Sequence, residues 1–140
     1  MVMNRERRVG LLGKRRVPHS YAVIAELRAW ADEVLTESGA PSASVTDVLL
    51  ALSELVANAM AAAPGEETEV ELGVERDHLR LAVRNKSVGP PLKSPEQWGP
   101  VSIRSDTGRG LFIVKSLASS VDVDDHDGWT SVICTFATTT

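Results

Sequence analysis

The feature that most limits how this chain can fold is a change of hydrophobic period close to residue 64. Before it, Val45, Val48, Leu49, Leu52, Leu55, Val56 and Ala59 recur at helical spacing from Ser42 or Ser44 to about Ala63, where Pro64-Gly65 ends the run. After it, Thr68, Val70, Leu72 and Val74 alternate with charged residues, as do Leu79, Leu81 and Val83, with Arg76-Asp77 between them as a turn. A period of two puts alternate side chains on opposite faces, so this stretch reads as a hairpin with one wet face. A long one-sided helix running straight into a one-sided hairpin calls for a helix layer on a sheet.

The other segments extend that plan. Arg5, Arg7, Arg8, Lys14, Arg15 and Arg16 bracket Val9, Leu11 and Leu12, which suits an edge strand ending at Pro18. Ser20 is placed to cap a helix from Tyr21 to about Ser38, with Val23, Leu27, Trp30, Val34 and Leu35 on one face and Gly39 as its stop. Between Asn85 and Thr107 the period is lost among Gly89, Pro90, Pro91, Pro95, Gly99 and Pro100. So long a loop in a small domain reads as a lid, spanning about 86–107. Helical spacing returns at Leu111, Val114, Leu117 and Ala118, and two strands follow, Val121–Asp125 and Trp129–Phe136, joined by the hairpin dipeptide Asp127-Gly128. The order β-α-α-β-β-loop-α-β-β predicts an α+β, two-layer α/β sandwich. Its mixed, mostly antiparallel sheet is covered by helices on one face.

Composition narrows the function classes. The chain has 140 residues, 43% apolar and 24% charged, which suits a single domain over 1–140 and argues against disorder. A net charge of −4 gives no reason to expect direct nucleic-acid binding. The apolar run from Val45 to Ala63 is broken by Asp47, Ser53, Glu54 and Asn58, so it reads as a core helix and not a membrane span. One cysteine, Cys134, excludes a disulfide framework, and the N-terminus has no apolar signal region. The expected compartment is the cytoplasm.

Three short segments carry chemistry. Glu54 and Asn58, at i and i+4, share a helix face opposite the apolar stripe. Such a pair is commonly just solvated surface. Its functional reading is a carboxylate that orients a nucleophile beside an amide oxygen suited to magnesium. Thr107-Gly108-Arg109-Gly110-Leu111 opens a helix, where glycines admit a close ligand and free N–H groups favour an anion. A glycine pair alone is a weak signal. Asn85-Lys86-Ser87-Val88-Gly89 closes a strand and by itself reads as a turn.

Together and in this order these segments resemble the GHKL (histidine kinase-like) ATPase superfamily, whose nucleotide site is built from an N box, a G1 box and a G2 box. Glu54–Met60 resembles the N box, Asn85–Gly89 the G1 box, and Thr107–Val114 the G2 box. The short chain and the closing hairpin with Trp129 look most like the anti-sigma factor serine/threonine kinases of the actinobacterial type. The resemblance implies the Bergerat fold and a site for ATP and Mg2+. Glu54 would be the catalytic acid that positions the attacking hydroxyl, and Asn58 the magnesium ligand. Gly108, Arg109 and Gly110, with Thr107 and Leu111 beside them, would line the phosphates; Asn85 and Gly89 would meet the adenine. The implied partners are a sigma factor and an anti-anti-sigma protein of the STAS type, with a homodimer left open.

Three departures from that pattern are legible. Asn85 stands where the G1 box has an aspartate, Ser87 where it has its first glycine, and Ala61 and Ala62 where close relatives carry a basic residue and a histidine. Replacing a charged acceptor by a neutral one costs about 1–2 kcal/mol, roughly tenfold in affinity. Two readings therefore stand side by side: an ATP-dependent serine/threonine kinase, and a catalytically degenerate interaction module of the same fold. Elsewhere the plain readings are kept. Asp122, Asp124, Asp125 and Asp127 form a wet strand edge, Cys134 is a buried thiol, Trp30 belongs to the core, and Trp98 packs over the pocket or against a partner.

Overall fold

The computed structural model describes residues 9–62, 67–87, 92–99 and 106–138, with the side chains of residues 9 and 106–109 also outside the description. Strand β1 (Val9–Pro18) leads to helices α1 (Tyr21–Glu37) and α2 (Ser42–Ala62). Strands β2 (Glu67–Glu75) and β3 (His78–Lys86) follow, then α3 (Asp106–Leu117), β4 (Ser120–His126) and β5 (Trp129–Ala137). The strands form one open sheet in the order β1-β2-β3-β5-β4. Every pairing is antiparallel, so the parallel component that a mixed sheet would need is absent among the described strands. The expected α+β sandwich is otherwise as drawn from the sequence, and β1 is indeed an edge strand.

The two periods meet in the core. Val48, Leu52, Leu55 and Val56 of α2 are buried against Val70 and Leu72 of β2, Leu79 and Leu81 of β3, and Phe136 of β5. By length and composition α2 is apolar enough to cross a membrane. Its buried face is instead the centre of the protein core. Helix α1 buries Leu27, Ala31 and Leu35 and leaves Trp30 half-buried at the rim. There Trp30 meets β1 at Gly13, where a Cβ would fall 2.9 Å from the indole, so only glycine lets helix and strand come this close. The Arg15 guanidinium covers the same ring, 5.3 Å from its centroid. Ser20 occupies the N-cap with an extended backbone, but its side chain makes no capping hydrogen bond. The β4–β5 turn uses the left-handed region at Asp127 (φ 52°) and Gly128 (φ 81°), as the dipeptide predicts.

The sheet face turned away from the helices is less wet than its sequence suggests. Glu69 projects there yet is only 7% exposed. Arg16 Nη2 lies 3.2 Å from its carboxylate, Arg84 Nη1 3.1 Å and Lys14 Nζ 3.6 Å, so three cations from neighbouring strands cover one anion. Burial alone would raise its pKa; the Arg16 hydrogen bond, with Lys14 and Arg84, outweighs this and holds it below the ordinary value of 4.5. A depressed native pKa means stability that is present above pH 4.5 and lost as the pH falls through the native value. Urea midpoints measured across the acid range should fall in that window. Glu69→Gln should flatten the fall, and an unchanged acid profile in that variant would refute the assignment.

Candidate functional site

The site is assembled where α2 and α3 lie side by side. Glu54 and Asn58 are half-buried on α2, flanked by the buried Leu55, Val56 and Ala59. Helix α3 begins at Asp106, earlier than the return of helical spacing at Leu111 suggested. Gly108 and Gly110 therefore lie within its opening turns and not in a loop ahead of it. Glycine lowers helix propensity there, but the first N–H groups of a helix have no partners within it and present a partial positive charge.

Gly110 brings the two segments together. It is buried, and a Cβ placed on it would fall 2.6 Å from Glu54 Oε2 and 3.4 Å from Glu54 Cδ. The missing side chain is thus the room taken by the Glu54 carboxylate. The side chain of Leu111 is buried with Val114, which anchors α3 on the core. Ala61 and Ala62 are exposed at the end of α2. The side chains of Thr107 and Arg109, and the whole of Gly89, lie outside the described residues.

Asn85 stands near the end of β3 on the helix-covered face, in register with Thr68 on one side and Thr130 on the other. Its Nδ2 donates to the Lys86 carbonyl at 2.8 Å. Ser87 is tied to the β4–β5 hairpin by its N–H, which donates to the Gly128 carbonyl at 2.8 Å. Its hydroxyl lies 2.7 Å from that of Thr130, which in turn donates to Asp125 Oδ1 at 2.6 Å. Asp125, read from the sequence as a wet edge residue, is thus part of a polar cluster beside Asn85. On the other flank, His19 Nε2 lies 2.7 Å from Thr68 Oγ1. Alternation along β5 already put Thr130 on the face of Val132 and Cys134, and the hairpin dipeptide brings Asp125 opposite it, but nothing local marked Ser87, 43 residues away, as its partner.

Trp98 is 4% exposed and belongs to the core, with its indole N–H donating to the Lys93 carbonyl at 3.0 Å. It therefore secures the middle of the long loop from below. Cys134 is fully buried, and burial, with Asp122 nearby, pushes its thiol up to about 12, as suits a buried structural thiol. A shallow depression of about 380 Å3 lies on the helix-free face between Arg16, Glu69, Arg84 and Trp129. The whole sheet separates it from Glu54 and Asn58.

This arrangement, with an acid and an amide on one helix, glycines on the next and a polar strand end beyond them, coincides with a family model. The model of the histidine kinase-like ATPase domain matches residues 17–136. The chain belongs to that family. Its fold is shared with the crystal structure of the RsbU and RsbW domains of Rv1364c from Mycobacterium tuberculosis (TM-score 0.60, 20% identity), covering 89% of this chain and 32% of that one. It is shared also with the catalytic domain of histidine kinase ThkA (TM-score 0.54, 16% identity), covering 90% of this chain and 97% of that domain. The chain thus spans about a third of the length of that two-domain mycobacterial chain. Among the curated proteins compared, none matches.

Proposed function

We propose that this histidine kinase-like ATPase domain is a cytoplasmic regulator of the anti-sigma type that binds ATP with Mg2+ and phosphorylates a serine on an anti-anti-sigma protein. The observation that carries this reading is the contact between Gly110 and Glu54. A buried glycine that leaves room for one carboxylate, at the opening of a helix, is what a phosphate site beside a catalytic acid requires. The donor set fits the metal as well, since the amide oxygen of Asn58 is a hard ligand. Magnesium, when bound, would offset the charge of the phosphates. Asn58 would hold it, the opening turn of α3 would receive the phosphate oxygens, and Glu54 would accept the proton of the attacking serine hydroxyl. The RsbW domain named in the mycobacterial structure supports placing a sigma factor or a STAS-type protein as partner.

A second reading, an interaction module without nucleotide, draws on Asn85. Its amide is engaged with Lys86, where the family pattern has an aspartate. Calorimetric titration with ATP, with and without Mg2+, separates the two. The kinase reading expects magnesium-dependent binding by the native chain, tightened about tenfold by Asn85→Asp. Absence of binding by both chains would leave the interaction module.

A further inference from the structure

Asparagine at position 85 creates a selectivity problem, and the residues beside it answer it. An amide donates as readily as it accepts, so Asn85 alone would take a 6-oxopurine as well as a 6-aminopurine. The sheet register sets Thr68, Asn85, Thr130 and Asp125 in one row across four strands. Thr68, Asn85 and Thr130 are on the face of the core residues Val70, Val83 and Val132, and Asp125 is on the face of Val123, which is partly buried against that core.

The hydrogens in that row can be counted. A carboxylate only accepts, so the 2.6 Å contact commits the single hydrogen of Thr130 to Asp125. The 2.7 Å contact between the two hydroxyls must then use the hydrogen of Ser87, with the Thr130 oxygen accepting. Ser87 Oγ also stands 3.4 Å from Asp125 Oδ1, and its N–H, donating to the Gly128 carbonyl, keeps the residue beside the hairpin. Thr130 is left with no hydrogen to give and one lone pair to offer, on the strand next to Asn85.

We propose that Asp125 is a positioning residue that locks the Thr130 hydroxyl as an acceptor for the exocyclic amine of a purine, so that the pocket selects 6-aminopurine over 6-oxopurine nucleotides despite Asn85. The inference rests on the nucleotide reading above. A 6-oxo group in the same place would set oxygen against oxygen.

The test compares ATP with ITP, which differ at that one position, by calorimetry on the full chain. The native protein should prefer ATP about tenfold, the worth of one hydrogen bond gained against one repulsive contact. Asp125→Ala frees the hydroxyl to rotate and donate, so the preference should fall toward unity, mainly through tighter ITP binding. Thr130→Ser keeps the hydroxyl and should keep the preference; Thr130→Val should lose it. Asp125 is exposed, and thermal melts of the variants would confirm that each is folded. ATP binding with no preference in the native chain, or with the same preference in Asp125→Ala, would overturn the role of Asp125 and leave the nucleotide site standing. Failure of the native chain to bind either nucleotide would overturn both.

Discussion

Trp98→Ala lowers the unfolding free energy by about 3–5 kcal/mol, the range for removing a buried large aromatic side chain. The expectation follows from its place. Trp98 is the buried end of the segment 92–99, where a single turn of 3-10 helix (Pro95–Gln97) sits beside β4. Its ring joins the cluster that holds Leu111 and Val114, and Lys115 Nζ of α3 reaches its carbonyl at 3.5 Å. Deleting the ring opens a cavity under the loop and under α3 at once. Urea denaturation followed by circular dichroism would measure the loss. Trp98→Phe, which keeps most of the apolar volume, should lose far less. A loss below about 1 kcal/mol in Trp98→Ala would mean that the loop is not secured through this residue.

The second large effect is chemical. Under the proposed kinase reading, Glu54→Ala slows phosphoryl transfer to an anti-anti-sigma protein by about 10²–10⁴-fold, the usual contribution of a positioned general base, and leaves ATP affinity nearly intact. Single-turnover transfer beside equilibrium binding separates the two quantities. Gly110→Ala reports on the same atoms without touching the acid. Its new Cβ would lie on Glu54 Oε2, the free end of a flexible side chain, so the carboxylate turns aside at little cost in stability. Alanine also regains up to about 1 kcal/mol of helix propensity. The expected result is a chain as stable as the native one but slow in transfer. Normal transfer in both variants would remove Glu54 from the mechanism.

How far the sequence is legible differs between the elements. The periods of 3.6 and 2 place α2, β2 and β3 nearly to the residue, because each element's apolar side must meet the same core. The start of α3 is not legible, since Gly108 and Gly110 weaken the helical pattern just where the helix begins. The burial of Glu69 is not legible either. Alternation points it to solvent, and only the strand order brings Lys14, Arg16 and Arg84 around it. Trp98 sits in a stretch without period, so its descent into the core leaves no trace in spacing.

The sequence by itself determined the element order, the apolar faces and the candidate chemistry of Glu54, Asn58 and Gly110, because these depend on residue type and local spacing. Tertiary structure alone decided that Gly110 faces the Glu54 carboxylate, and that Ser87 meets Thr130 and Asp125 beside Asn85. Those meetings join residues 38 to 56 positions apart in the chain. Helix packing and strand register set such distances, and no local pattern encodes them.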